Sequence, residues 1–439
     1  RGTSGNIDWG WRTDYLHSKK TYRNTGAYKI IQDFAWKTED DFLPGRLWSE
    51  YVSKKWNGNL NLAMKMGSNH LLEFNGDFSR EAMNCDGNRW GLSDSETSPG
   101  SGLRGRKMLS KYSINEYHFT LQDTITLNDD GDLKLTPIFR GDKVEMETMG
   151  SNDQRWKWSG GVALQKQIND QWSFKTTWGT YNRHPNFYEI FGDGGYIRPN
   201  KETAAFYDLE NGDVWESGKQ FDFSLNWQGK MANADTSTIL TWFQRDTKNQ
   251  IVMSMPMGAG SDILAQYFNM DKVKVHGLEL SHNMQWRRLG LNLAATWQKS
   301  EAKTRPLTGS WLSSPVSLTP EWVVSARLDY LFPGDKLNVF AEYNYTDKFI
   351  TNASKVKGSD EVHELGSGSY STVDLGVKYK FDKNWKLSAG VNDIFNKGYD
   401  VMGYEYVNGY GYENYNGRYC NLPCPLAGRM YYTTLEYSF

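Results

Sequence analysis

The chain has 439 residues, a formal net charge of −2 and a mean hydropathy of −0.69, with 38% hydrophobic and 15% aromatic residues. So even a charge gives no reason to expect nucleic acid as a partner, and no apolar run approaches the roughly 18 residues of a membrane-spanning helix. Three cysteines, Cys85, Cys420 and Cys424, are too few for a disulfide scaffold. The 18 Trp, 26 Tyr, 20 Phe and 42 Gly fit a transmembrane barrel with aromatic girdles, and equally a large soluble propeller or sandwich. The opening residues, Arg1-Gly-Thr-Ser-Gly, lack the basic and apolar regions of a signal peptide, so an exported form of this chain is expected to be processed or partial.

Along the chain the recurring signal is a two-residue period. A first strand is expected at roughly 5–17. In 72–79, Leu72, Phe74 and Phe78 alternate with Glu73, Asn75, Asp77 and Ser79. In 337–345, Leu337, Val339, Ala341, Tyr343 and Tyr345 alternate with a polar set that Phe340 interrupts. In 373–381 the apolar set is Val373, Leu375, Val377, Tyr379 and Phe381, against Asp374, Lys378 and Lys380. The final segment sets Tyr431, Leu435, Tyr437 and Phe439 against Thr434, Glu436 and Ser438. No helical periodicity competes.

The connections alternate in length. Short turns are expected near 67–68, 128–131, 169–170, 229–230, 287–288, 333–334 and 382–384. Longer connections are expected near 83–111, 146–154, 184–213, 254–265, 304–318, 350–369 and 398–427. A propeller would repeat a blade of fixed length, and no such repeat is found. Short turns on one side and long loops on the other define an antiparallel transmembrane β-barrel, with periplasmic turns and extracellular loops. The chain holds about 17 strands, and the count places the first, 5–17, running from outside to inside. An odd number does not close a usual bacterial barrel, so strands are expected to be missing on the N-terminal side.

Four segments carry a family resemblance. Gly428-Arg429-Met430-Tyr431-Tyr432 through Phe439 is similar to the last strand of TonB-dependent receptors. Val391-Asn392-Asp393-Ile394-Phe395-Asn396-Lys397 with Tyr399 resembles the family's "N-x-h-F-x-x-x-Y" strand end, where h is apolar. Asn269 to Gly277-Leu278-Glu279 resembles its "N…G-x-E" strand. Arg183-His184-Pro185-Asn186-Phe187-Tyr188-Glu189-Ile190-Phe191-Gly192-Asp193, followed by Pro199-Asn200, resembles its Arg-x-Pro…Glu-Leu-Tyr-Gly box.

The resemblance implies a 22-stranded barrel plugged by an N-terminal domain that carries the segment contacting the inner-membrane energy transducer. Residues 1–439 would be the C-terminal part of such a barrel, without the plug and about five strands. It further implies residence in the bacterial outer membrane and TonB-energised uptake of a ferric siderophore. Heme, cobalamin or another metal cargo, or a passive pore or adhesin, are the alternatives. Expected partners are the missing plug and first strands, the TonB complex, outer-membrane lipid and lipopolysaccharide, and the barrel assembly machinery, for which Tyr437 and Phe439 would form the signal. No resident cofactor and no catalysis are expected: the seven histidines show neither metal-site spacing nor a nucleophile motif.

For cargo, the loop 398–427 offers Tyr404, Tyr406, Tyr410, Tyr412 and Tyr415 among Gly and Asn, flat rings with polar tips suited to an aromatic, sugar-like or catecholate ligand. The plainer reading is loop self-packing and an upper aromatic girdle. Cys420 and Cys424 are close enough to form a disulfide stapling this loop in an oxidising compartment. His184 is a candidate heme ligand, although Pro185, Glu189 and Gly192 more simply shape the start of a loop. Met253, Met255 and Met257 are soft enough for Cu(I), or simply adaptable apolar residues. The acidic, Gly-rich stretch 86–96 could hold Ca²⁺ or be solvated loop.

Overall fold

The structure, a computed structural model, describes residues 1–23, 48–87, 112–148, 151–186, 189, 197–198, 215–254, 265–304, 312–316, 318–355, 362–397 and 428–438. Its strands begin with β1 (Gly2–Ser4), β2 (Ile7–Arg23), β3 (Trp48–Met66), β4 (His70–Gly87), β5 (Tyr112–Thr126), β6 (Leu133–Thr148) and β7 (Ser151–Gln167). Next come β8 (Trp172–Arg183), β9 (Ile197–Arg198), β10 (Glu216–Met231), β11 (Ala234–Ser254), β12 (Ala265–Gln285), β13 (Leu289–Thr304) and β14 (Leu312–Ser314). The series ends with β15 (Trp322–Leu331), β16 (Leu337–Thr346), β17 (Phe349–Lys355), β18 (Val362–Ser367), β19 (Tyr370–Lys380), β20 (Trp385–Asn392) and β21 (Met430–Tyr437). No helix among the described residues is long and apolar enough to cross a membrane.

The chain forms two compact units: Arg1–Ala163 with Gly179–Gly218 and Lys248–Met270, and Leu164–Trp178 with Lys219–Thr247 and Asp271–Phe439. In the first, β1 to β6 form an antiparallel meander, each strand paired with the next. In the second, β12, β13, β15, β16, β19, β20 and β21 do the same, while β17 and β18 form a separate hairpin.

The register sorts side chains onto two faces, because successive residues of a strand point oppositely. In the first unit, Trp9, Leu62, Phe74, Leu121 and Phe139 stand opposite one another across β2 to β6. On the other face the corresponding row is Arg12, Asn59, Asp77, His118 and Asp142. In the second unit, Leu291, Leu328, Ala341, Leu375, Val391 and Tyr431 form one apolar row. Asn283, Asn292, Arg327, Glu342 and Asp374 form the opposite, polar row. Asp374, Lys378 and Lys380 thus lie on the face away from Val373, Leu375, Val377 and Tyr379, as the alternation in 373–381 predicts.

The apolar face is the uncovered one. Leu375 is 43% exposed, Trp11 62% and Tyr431 74%. Large contiguous apolar surface of this kind needs a non-aqueous cover. Buried apolar side chains of the first unit, Tyr51, Met83, Ile114 and Met146, sit instead on the polar face, toward the strand ends away from the β3–β4 and β5–β6 turns.

Phe340, the apolar exception of the 337–345 strand, is explained by its neighbours on the polar face. Its ring lies under the Arg327 guanidinium, 3.7 Å from centroid to carbon, and crosses Gly376 on the next strand, where any Cβ would collide with it. The glycine makes room and the cation covers the ring.

The short turns follow from local side-chain chemistry. The Asp382 carboxylate accepts the backbone N–H groups of Asn384 and Trp385 at 2.8 and 2.9 Å, which holds its pKa below the usual carboxylate value. Asn169 Oδ1 accepts the N–H groups of Gln171 and Trp172 at 2.9 Å. Such Asx geometry lets one side chain replace missing ladder bonds.

Three expectations are corrected. The turn expected at Gly229-Lys230 lies at Ala232–Asn233, both at positive φ. Gly229 lies inside β10, which continues to Met231, and its missing side chain makes room for the Trp227 ring and does not mark a turn. The long connection expected at 146–154 shrinks to 149–150, because pairing carries β6 to Thr148 and β7 begins at Ser151. Finally, the strand expected at 5–17 to run from outside to inside runs the other way. β1 and β2 close a short turn at Gly5–Asn6, and Asn6 and Lys65 bond beside the β3–β4 turn. From there β2 ascends as one 17-residue strand, with no breaker before Arg23. Among the described residues, sixteen strands of eight or more residues, with β1 ahead of them, stand beside the expected count of about 17.

The two-faced arrangement makes an asymmetric prediction. Leu375→Arg, midway along β19 on the apolar face, is expected to cost about 2–4 kcal/mol of folding into lipid vesicles. Thr372→Arg on the polar face of the same strand is expected to cost under about 0.5 kcal/mol. Equal losses in urea titrations would refute the assignment of the faces.

Candidate functional site

Where β8 ends, Arg183 meets two carboxylates. Its Nη1 and Nη2 donate to the two oxygens of Glu189 at 2.9 Å each, while Nε and Nη2 donate to Glu216 at 2.5 and 2.8 Å. Both glutamates are buried. Glu216 Oε1 also accepts the Ile251 backbone N–H at 2.6 Å. The chain turns after the strand by a reciprocal cap: Asn186 Oδ1 accepts the Glu189 N–H at 3.0 Å, and Glu189 Oε2 accepts the Asn186 N–H at 2.8 Å. Fully buried Pro185, with no N–H to satisfy, sits inside this turn.

One cation between two carboxylates leaves the cluster with net negative charge, so Arg183 is not a free anchor for an anionic ligand. The forked, bidentate pairing fixes the direction in which the loop leaves the strand.

His184 packs edge-on against buried Trp215, ring centroids 5.1 Å apart. Burial pushes its pKa down to about 3, aided by the positive charges of Arg183 and Arg155, against the opposing effect of a hydrogen bond to the Pro185 backbone. The imidazole is therefore neutral at physiological pH. Nearby, Asn269 is buried and donates to the Asn249 carbonyl at 2.9 Å, giving the Asn of the "N…G-x-E" strand a backbone-bridging role.

A second constellation lies on the polar face of β3 to β6. Asn59 donates to Asp77 at 2.5 Å, and Asn75 to Asn61 at 2.5 Å. His118 Nδ1 meets Asp142 at 2.6 Å, and Arg140 reaches the same carboxylate with Nε at 2.9 and 3.1 Å and with Nη2 at 2.8 Å. Asp142 is 2% exposed. Charge-assisted bonds from two partners make burial of this carboxylate tolerable. Among the described residues no group of three or more His, Cys, Asp or Glu could hold a metal ion.

The sequence singled out Arg183, His184 and Glu189 but missed Glu216 and the His118–Asp142–Arg140 group. For Glu216 no local signal exists, since its partner is 33 positions away. The alternation of β5 and β6 does place His118 and Asp142 on one face, but not opposite each other. Tyr437 lies opposite Trp385, with rings 4.7 Å apart at the short-turn end. Tyr404, Tyr406, Tyr410, Tyr412, Tyr415, Cys420, Cys424, Phe439, Met255, Met257, Gly192 and the stretch 88–96 lie outside the described residues.

A strand meander with one lipid-suited face, one polar face and alternating turns is the architecture of an outer-membrane β-barrel. The TonB-dependent receptor-like β-barrel family matches residues 1–394, and the chain belongs to that family, whose members are outer-membrane transport receptors and not enzymes. It is 24% identical to the ferric enterobactin receptor of Pseudomonas aeruginosa, an alignment covering 99% of this chain and 57% of that protein. It is 21% identical to the probable TonB-dependent siderophore receptor PirA of Acinetobacter baumannii, covering 98% of this chain and 57% of that protein. The chain thus spans a little over half the length of these curated relatives. Among solved structures, the copper transporter OprC superposes with a TM-score of 0.67 at 15% identity, over 99% of this chain and 63% of that one. At that identity the likeness carries the fold alone.

Two predictions concern the Arg183 cluster. Glu216→Ala removes two bonds from Arg183, which keeps Glu189, and leaves the Ile251 N–H without its acceptor; the loss is expected to be about 1–3 kcal/mol. The measurement is the temperature at which heat-modifiable gel mobility is lost, and an unchanged midpoint would refute the clamp. For His184, a folded pKa near 3 against about 6.5 unfolded means that the unfolded segment binds more protons between those values. Stability conferred by the neutral ring is complete above pH 6.5 and falls as pH falls, by about 2 kcal/mol at pH 5. Hydrogen exchange of the 181–186 segment, corrected for intrinsic rates, should report this loss, and His184→Phe should abolish its pH dependence.

Proposed function

We propose that this chain is the C-terminal part of the barrel of an outer-membrane receptor that imports a ferric siderophore using energy delivered through TonB. In this reading the plug, the first strands and the transducer-binding segment belong to the remaining part of the receptor. The observation that carries it is the alignment of 99% of the chain with a ferric enterobactin receptor. The polar face of β3 to β6 would line the lumen against the plug. The clamped start of the 184–214 loop would hold a recognition loop in place, and the tyrosine-rich 398–427 loop would meet the catecholate cargo.

The test is uptake by the intact receptor. Under iron limitation, a strain carrying this receptor as its one siderophore route should grow on a ferric catecholate and lose that growth when TonB is deleted. Heme, a Cu(I) complex and cobalamin serve as competing cargoes in parallel cultures. TonB-independent growth would point to a passive pore. Growth on one of the other cargoes, with none on ferric siderophores, would replace the cargo assigned here.

A further inference from the structure

The polar face of β16, β19, β20 and β21 carries an aromatic ledge above a group of lysines. Tyr432 of β21 stands opposite Gly390 of β20, and Gly390 stands opposite Gly376 of β19. With no side chain at either glycine, the Tyr432 ring reaches across β20 toward β19, close against the backbone. A Cβ at Gly390 would strike the ring tip, and one at Gly376 would come within 2.9 Å of the Tyr432 hydroxyl. Tyr432 is nevertheless exposed, and its hydroxyl makes no hydrogen bond among the described residues. The far side of Gly376 is filled by the Phe340 ring under Arg327.

Below this ledge lie the short β15–β16 and β19–β20 turns, which mark the periplasmic side, and toward them the same face turns basic. Lys378 is one row down, between Asn338 and Ser388, and Lys380 is one row further, opposite Lys386. Lys378 and Lys380 are exposed. Like charges directly opposite one another repel, and Glu436 pairs with Lys386, at 3.0 Å. Higher on this face the carboxylates are already engaged: Asp329 and Glu342 bond Arg327, and Asp374 accepts the Asp393 backbone N–H at 2.7 Å. Among the described residues, Lys378 and Lys380 are thus left without a carboxylate.

We infer that Tyr432, Lys378 and Lys380 form a transit site for an anionic aromatic chelate moving toward the periplasm, an inference that rests on the catecholate cargo proposed above. A bare anion would meet the lysines but leave the ring idle; an uncharged aromatic would do the reverse. A catecholate uses both: its ring stacks on Tyr432, and its oxygens accept from the Tyr432 hydroxyl and the Lys378 ammonium. Lys380, about 7 Å further along β19, then takes over the charge nearer the exit. All three side chains are exposed, so the hold is weak enough for release, as passage requires.

The test is uptake of a radiolabelled ferric catecholate by cells carrying the intact receptor, read beside binding to the same cells without TonB. Lys378→Gln/Lys380→Gln is expected to lower the maximal uptake rate about tenfold. KM and binding to the TonB-deficient cells should not change, because the outer recognition loops are untouched. Tyr432→Phe, which keeps the ring and removes the hydroxyl, is expected to lower the rate several-fold. Lys378→Arg/Lys380→Arg is expected to restore uptake, and Lys383→Gln, on the β19–β20 turn, to leave it unchanged. Heat-modifiable mobility, and the temperature at which it is lost, reports the fold of each variant. Undiminished uptake by the folded glutamine variant would overturn the inference. A lowered midpoint with equally reduced binding would also overturn it, by showing that the lysines hold the barrel or its plug together. Wild-type cells that take up no ferric catecholate would refute the cargo assignment itself, and the transit site with it; normal wild-type uptake matched by the variants refutes the transit site alone.

Discussion

A bilayer interior offers backbone N–H and C=O groups no partner, so each must be bonded within the protein. The rest of this structure depends on that constraint. It favours long uninterrupted ladders, such as the pairing of β3 with β4 from Ser49–Gly87 to Met66–His70. Once the ladder is continuous, side chains can go to two faces and nowhere else. Lipid takes the apolar face and water or protein the polar one, which is why a chain of negative mean hydropathy can belong in a membrane.

The polar face is organised by pairing across strands. Asn59–Asp77 and His118–Asp142 join residues that stand opposite one another, so the register that satisfies the backbone also satisfies the side chains. In the second unit Arg327 bonds Asp329 on its own strand and Glu342 opposite, while covering the Phe340 ring. Arg140 beside Asp142 and Arg327 beside Asp329 and Glu342 each set a cation among carboxylates. Such networks add little net stability but penalise register slips, because a slip of one residue moves a charge onto the lipid face.

At the mouth the same chemistry serves a different end. Arg183, Glu189 and Glu216 tie the start of a loop to the head of another strand, and the Ile251 N–H adds a third segment. A recognition loop has value only if its base is rigid. The neutral His184 ring against Trp215 packs the same base without adding charge. The motif that links this chain to its family is in these observations a structural clamp at the end of β8.

The sequence by itself determined the fold class, the faces and most turns. A two-residue period states which side chains share a face, and Asp382, Asn169 and Gly334 act on their own neighbours, so no distant information is needed. Its failures were of two kinds. At Gly229 and at 146–154 the local signal was read as a turn or loop where a close-lying ring or continued pairing prevailed. At 5–17 a strand running to Arg23 was read as ending early, which reversed its direction. What tertiary structure alone decided is which residues meet across strands: Glu216 with Arg183, Asp142 with His118, and Tyr432 over Gly390. Those meetings depend on register, set by the summed pairing of whole strands, and no single segment of sequence contains that sum.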